Sequence, residues 1–556
     1  MHCSPQPPER RELCSLPSPS LTPRHSAYVC IDDVQVDTLA TCKYDLPVDP
    51  EEFDRATVIK PTSLLRPHMR IFYLSWISAI TGFFGWYAIP PLMPVIKTQL
   101  GLTDGQVLNS DIASTASTIL SRIASGPVLD CYGPQVVQST VLWLGAIPVI
   151  CAAFVSSATS LVLVRFFIGL VGCVFVSSQY WTTITFARNV AGTANAITGG
   201  LGVSGIGFAF LVLPFIYEAI TSRGHVSADL GWRLTIALPA VLMVIMGTVI
   251  RFAVDSCPTG DFQKLMQMKR QAEQDSRALP ARTSVSGSLT MVRPVTPTTG
   301  GVQSVPKPPM TMLQSFKIVL TDVNVLVMIA QYAAAFGTEL QLNNMGALYF
   351  HTQFPQEGCL PTDSNLCYML STTNAATVAS SFGLMNIFAR ALGGLASDSL
   401  NSRLGMRGRK RVQFTLLCTL GLLVITLSQL ESLGACIALY VLVAIAAQAT
   451  GGSTYGIVPY LSEQHTGTVN GLVGAGGNLG GVVYGIIFRS TEGYSSGLLY
   501  MGIIILACAL LTLLLRFSSS EHKPTTNAAN RSSSGVYKRS HSTVHVELES
   551  DVYTKQ

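Results

Sequence analysis

The 556-residue chain is 48% hydrophobic and only 12% charged, with a mean hydropathy of +0.41. That is about half the charge of an ordinary soluble domain, which excludes a soluble globular protein of this length. The net charge of +5 does not point to nucleic acid either, because the basic residues sit in loops beside apolar runs rather than along one polar face.

Taken in chain order, residues 1–68 are rich in Pro, Ser, Arg and Glu and hold no apolar stretch long enough for a signal-peptide core, so they read as a disordered cytosolic tail. Apolar runs of roughly 20 residues follow, the length that a 30 Å hydrocarbon core requires at 1.5 Å rise per residue. Twelve are expected, near 71–95, 107–130, 136–156, 160–184, 190–217, 231–253, 322–350, 372–398, 412–430, 433–461, 466–488 and 497–517. The first six make one half over 69–254 and the last six another over 316–517. Between them, 255–315 carries Pro-Thr-Gly and Ser-Val-Ser-Gly-Ser punctuation that supports no apolar face and reads as a cytosolic linker. A polar, Ser-rich tail over 518–556 closes the chain, and its sequon Asn530-Arg531-Ser532 would go unused in the cytosol.

Orientation follows from Lys and Arg. The loop after the eighth run holds Arg403, Arg407, Arg409, Lys410 and Arg411, and the linker is also basic, whereas the alternate loops carry more acid. The basic loops face the cytosol, and an even number of spans leaves both termini there. Of 13 cysteines most lie in apolar runs or the leading tail, where a free thiol is ordinary. Cys359 and Cys367, in the loop after the seventh run, are placed either for a disulfide on the oxidising side or as two unpaired thiols. Ser284, Ser286, Ser540 and Ser542 stand beside basic residues, where phosphate would either dock a tail or linker onto Arg407–Arg411 or leave a merely solvated segment.

The two halves repeat. Arg122, Gly126 and Asp130 recur as Arg390, Gly394 and Asp398 at i, i+4 and i+8, one face of a helix. Gly192-Thr-Ala-Asn195-Ala-Ile-Thr-Gly199 likewise aligns with Gly467-Thr-Val-Asn470-Gly-Leu-Val-Gly474. Repeats in helices 2/8 and 5/11 imply a six-plus-six architecture with its site at midplane between halves that rock around it.

These residues carry a resemblance. Gly126-Pro-Val-Leu-Asp130-Cys-Tyr-Gly133 and its second copy resemble the loop motif of the major facilitator superfamily. Within it, Pro90–Lys97, Arg165-Phe-Phe-Ile-Gly169, Gln179-Tyr-Trp181, Phe336-Gly-Thr-Glu-Leu340, Ser381–Asn386 and Gly474-Ala-Gly-Gly-Asn-Leu-Gly480 are similar to the eukaryotic high-affinity branch of the nitrate/nitrite porter family. The resemblance spans about 70–517. It implies an all-α membrane protein of twelve transmembrane helices in two pseudo-symmetric halves, and a plasma-membrane importer of nitrate, with nitrite as an open question, that works either by proton symport, as in the family's eukaryotic members, or by exchange of nitrate for nitrite, as in some relatives.

The chemistry of the residues agrees with that implication. Nitrate is a planar monoanion with three acceptor oxygens, and guanidinium is a planar, permanently charged fork of donors. Arg122 and Arg390 cost ~2.5–3.5 kcal/mol each at a helix centre, so they must face the interior, there either to lock helices through carboxylates and carbonyls or to bind an anion. The resemblance implies binding. Asn470, Asn478 and Asn195 belong to the glycine-asparagine strings, and an amide at lipid depth needs a partner. The first string has Val203, followed by Ser204, where the family usually has asparagine. Tyr180 and the repeat-aligned Tyr455 either wall the pocket or pack helices. Glu339, an acid in an apolar span, marks either a proton route or an ion pair.

An enzyme has little support. Gly200-x-Gly202-x-x-Gly205 fits a dinucleotide fingerprint formally, but no strand precedes it, and no zinc spacing, nucleophile elbow or phosphate loop occurs. No cofactor or metal is expected. The expected partners are nitrate or nitrite, protons and the lipid bilayer, with an accessory membrane protein left open. The alternatives are a carrier for another small anion or an amino acid, and a nitrate sensor that transports slowly.

Overall fold

The computed structural model describes residues 44–50, 52–224, 226–268, 271, 317, 319–356, 368–461 and 466–517. The helices belong to the second of two units, Leu46–Gln556. Eleven segments among the described residues are long and apolar enough to cross a membrane: α1 (His68–Leu100), α3 (Pro134–Phe154), α4 (Ala158–Thr185), α5 (Val190–Ser222), α6 (Ala228–Ala253), α7 (Val323–Thr352), α8 (Thr372–Leu404), α9 (Met406–Ser428), α10 (Leu433–Ile457), α11 (Val469–Ser490) and α12 (Gly493–Leu514). The twelfth, α2 (Asp104–Tyr132), has 29 residues and reaches about 43 Å, yet falls short on apolarity. Its deficit has a visible source. Asp104, Asp111, Thr118 and Arg122 share one face at i, i+7, i+14 and i+18, so this span carries a polar stripe inward.

The starts and stops obey local chemistry. Thr103 caps α2 in a capping box with Gln106, and Ser157 caps α4 in another with Ser160. Gly133, at φ 81°, turns the chain from α2 into α3, where Pro134 takes the first helical position.

The halves meet through small residues. On α5 and α8, Gly207 and Gly383 bring the two backbones together so closely that a Cβ on either would overlap the other chain. On α2 and α11, a Cβ at Gly485 would stand 2.7 Å from Ile112 and one at Gly481 3.0 Å from Thr115. Since α2 repeats as α8 and α5 as α11, the α2/α11 and α5/α8 contacts exchange under the pseudo-two-fold relation. On the membrane face away from the α2–α3 turn, the halves are closed. Every residue of α7 from Ala334 to His351 is buried, including Glu339, Gln341, Asn343 and Asn344.

The described parts of two segments expected to lack structure are ordered against the helices. In the tail expected over 1–68, Val48–Asp49 and Arg55–Ala56 pair as an antiparallel hairpin. The Ala187 N–H donates to the Ala56 carbonyl at 2.9 Å, and Leu46 and Ala56 bury against Phe72 and Phe186. In the expected linker, Cys257, Phe262 and Leu265 are buried, and Phe262 lies against Gly133 and Tyr180. Each segment is held by two or three apolar side chains reaching distant helices, too few to make a periodic pattern in sequence. Cys359, Cys367, Ser284, Ser286, Ser540 and Ser542 lie outside the described residues.

Candidate functional site

The site is built from α2, α4, α7, α8, α10 and α11, around two arginines contributed by the two halves. Arg122 is 3% exposed. Its Nε donates to the Gly172 carbonyl on α4 at 3.2 Å and its Nη1 to the Gly474 carbonyl on α11 at 3.4 Å, so it already spans the halves. Its guanidinium carbon stands 5.3 Å from the Phe175 ring centroid and 5.4 Å from that of Phe336, within cation–π range of both. Its Nη2 has no partner.

Arg390, also 3% exposed, is held differently. Its Nη2 donates to Glu339 Oε2 at 3.0 Å and its Nε to Asn386 Oδ1 at 3.2 Å, while the Asn386 amide donates to Glu339 Oε1 at 2.8 Å. Asn386 thereby fixes both partners of the ion pair. The Arg390 Nη1 is unpartnered.

Between the arginines stands Tyr332. It stacks on Phe336 with centroids 5.2 Å apart and planes at 7°, and meets Tyr455 edge-on, also at 5.2 Å. Its hydroxyl lies beside the Arg390 guanidinium and the Tyr455 phenol, close enough to interact with both but without a well-directed hydrogen bond to either. Asn478 donates to the Gly474 carbonyl at 3.0 Å, the oxygen that also receives Arg122, and one of its two N–H groups suffices for that bond.

Two buried guanidinium nitrogens, Nη2 of Arg122 and Nη1 of Arg390, are thus left without a hydrogen-bonded acceptor in a protein interior, where such groups ordinarily find one, and the Tyr332 phenol beside them makes no well-directed bond. The charges of Arg122, Arg390 and Glu339 leave a net +1, with the arginines close enough to repel one another. A buried site of that charge with planar, unpartnered donors suits one small planar anion.

The structure therefore gathers Arg122, Arg390, Glu339, Tyr455 and Asn478. It does not bring in the other three expected residues. Tyr180 points its hydroxyl to Asp130 Oδ1 at 3.1 Å, near the α2–α3 turn. Asn195 donates to Thr183 at 2.9 Å and ties α5 to α4. Asn470 lies two turns before Asn478, about 12 Å along α11. Ser204 directs its hydroxyl to the Leu201 carbonyl of its own helix at 2.6 Å, and Val203 is buried in the apolar core. Sequence reading missed Tyr332, Phe175 and Asn386 as site residues. Tyr332 stands one turn before Phe336 and Asn386 one turn before Arg390, the i, i+4 spacing that identifies a shared face once one member is known.

The glycines beside Arg390 are part of its positioning. A Cβ on Gly452 of α10 would overlap the Arg390 carbonyl oxygen, and one on Gly393 the Ala449 carbonyl oxygen. Gly452→Ala is expected to lower stability by about 1–3 kcal/mol and to reduce transport per surface molecule, because backbone, not a flexible side chain, must move. Thermal denaturation in detergent beside uptake in cells checks this. Unchanged midpoint and uptake would show that α8 and α10 can separate freely.

Two pseudo-symmetric helical halves enclosing a buried, positively charged site are the architecture of a membrane transporter built from internal repeats. The chain belongs to the Major Facilitator Superfamily, whose family model matches residues 75–485, and it is a transporter rather than an enzyme. Among its relatives, High affinity nitrate transporter 2.7 of Arabidopsis thaliana is 32% identical over 438 residues, covering 79% of this chain and 80% of the relative. High-affinity nitrate transporter 2.3 of Oryza sativa subsp. japonica is 31% identical over 478 residues, covering 85% and 82%. A solved bacterial homolog to the human lysosomal transporter Spinster, in an inward-facing and occupied conformation, matches with a TM-score of 0.54 at 14% identity, covering 81% of this chain and 97% of that one, which speaks to the fold.

Proposed function

We propose that this chain imports nitrate, and nitrite by the same site, across the plasma membrane by proton symport with alternating access, its termini in the cytosol. The observation that carries the reading is the pair of buried guanidinium nitrogens on Arg122 and Arg390 that meet no acceptor, in a site of net charge +1. The nitrate transporters among the relatives support the choice of anion.

The proton enters through Glu339. While ionised, it occupies one edge of the Arg390 fork and would stand against any anion placed there. Protonation removes that charge, frees the Arg390 donors and raises the net charge of the site to +2, so proton and anion each favour binding of the other. Asn386 and Gln448, the latter beside Glu339, can accommodate either protonation state because each amide both donates and accepts. The potential gives coupling a purpose, since moving one anion into a negative interior is opposed by roughly 2.3 kcal/mol per 100 mV. Phe175 and Phe336 line the anion with apolar faces that exclude water, and the second Asn478 N–H adds a donor.

The test is nitrate-evoked current and uptake at external pH 5.5 and 7.5 in cells lacking their own nitrate transport, with nitrite, chlorate and monocarboxylates as competitors. Saturable uptake stimulated at acidic pH and competed by nitrite and chlorate is expected. Binding without concentrative flux would instead make the chain a sensor, and competition by monocarboxylates alone would reassign the anion.

A further inference from the structure

Glu339 is one of two buried acidic side chains among the described residues, and the other, Asp111, takes no part in the site. It forms an ion pair with Arg165 of α4, with both side chains no more than 4% exposed. Arg165 also donates to Ser110 at 3.2 Å and, from its other terminal nitrogen, across to Asn344 of α7 at 3.3 Å, so the pair is latched to the opposite half where the halves are closed.

Its position is what makes it informative. Asp111 lies eleven residues before Arg122 on the same face of α2, about 16 Å toward the closed mouth. Asp104, two turns further out on that stripe, is exposed and paired with Lys97 at 2.5 Å. Tyr494 of α12 neighbours both Asp104 and Asp111. Tyr87 of α1 follows Trp86, whose ring N–H donates to Ser114, one turn from Asp111, at 2.9 Å, and the Tyr87 hydroxyl is buried within electrostatic range of Asp111, Arg165, Glu339 and Arg122 while hydrogen-bonded to none of them. The titratable and charged groups around Asp111 are therefore Arg165, Tyr87 and Tyr494, with Asn344 reaching Arg165 rather than the carboxylate, while α11 meets this part of α2 through glycines.

We propose that Asp111 is a second proton-carrying group, an intermediate acceptor on a route from the Asp104 mouth through Tyr87 to Glu339. The inference rests on the proton-symport reading. A proton passes from water to the Asp111 carboxylate, then by way of bridging water to the Tyr87 oxygen as the Tyr87 proton passes, again through water, to Glu339, which leaves Asp111 ionised and Tyr87 neutral as before. A phenol both donates and accepts, which this step requires. Protonating Asp111 weakens its hold on Arg165, and with it the Arg165 bond to Asn344, so the route is linked to opening of the closed mouth.

The experiment compares wild type, Asp111→Asn, Tyr87→Phe and the double variant Asp111→Asn with Arg165→Gln in proteoliposomes. Two readouts are taken: exchange of labelled nitrate at equal concentrations on both sides, and lumen acidification accompanying nitrate uptake driven by an imposed pH gradient. Exchange within about twofold of wild type, with nitrate accumulation and acidification reduced tenfold or more in Asp111→Asn and in the double variant, and slowed in Tyr87→Phe, is the expected result. The double variant removes the stranded arginine charge, so loss of exchange in both Asp111 variants would make the pair structural and overturn the proposal. Wild-type acidification per nitrate in Asp111→Asn would overturn it equally. A wild-type protein that moves nitrate without acidifying the lumen would fail the symport reading itself and this inference with it.

Discussion

Arg122→Lys and Arg390→Lys should each reach the membrane and lose most nitrate uptake, at least tenfold in rate at limiting nitrate. Lysine keeps the charge but is a point donor without the planar fork, and a charge-assisted hydrogen bond is worth ~1.5–3 kcal/mol, or about one to two orders of magnitude in affinity. The two variants should differ in character. Arg122 is held between two phenyl rings and two carbonyls. Lysine there loses the stacking and the Gly474 bridge between halves, so turnover should fall along with affinity. Lysine at 390 can still pair with Glu339, so its main loss should be in nitrate affinity. Kinetics of surface-expressed protein measure both. Wild-type values in both variants would reduce the arginines to helix locks.

The second large effect is expected for Glu339→Gln, which imposes the neutral state. Wild-type nitrate affinity should rise as pH falls, because protonation removes a negative charge from beside the anion. In the variant that dependence should vanish. At 4 Å and an effective dielectric of about 20 the carboxylate opposes the anion by about 4 kcal/mol, an upper figure for the affinity gained. Accumulation against a gradient should fall at least tenfold while nitrate exchange persists, since the anion still binds but no proton accompanies it through Glu339. Retained pH dependence of nitrate binding would move the coupling proton elsewhere, and loss of exchange would show that Glu339 serves to hold Arg390 in place.

Much of the site was legible in the chain because the bilayer makes charge conspicuous. Arg122, Arg390 and Glu339 stand out in apolar runs, and burial near one another is the economical way to place them at that depth. Tyr180 and Asn195 fall outside the candidate site because motif and repeat position fix a residue's helix and turn but not its neighbour. Both prove to join helices of one half, through Asp130 and Thr183. Tyr332 gave only its spacing to Phe336, since a tyrosine in a membrane helix is chemically unremarkable until its ring is found beside Arg390 and Tyr455.

By itself the sequence determined the membrane class, the number of spans, the two-fold repeat and the charged residues that the interior must absorb. Those follow from properties local to each helix: 20 apolar residues suffice to span a bilayer, and a repeat is visible wherever its spacing is kept. Only the tertiary structure decided which residues share the candidate site, which donors are left open, and that α2, the least apolar span, buries its polar residues. Those depend on how helices rotate and cross, set by close contacts such as Gly207 with Gly383 and Gly452 with Arg390. The hairpin at 48–56 belongs with them, because its few apolar residues acquire meaning only against Phe72 and Phe186, which the chain brings to them from afar.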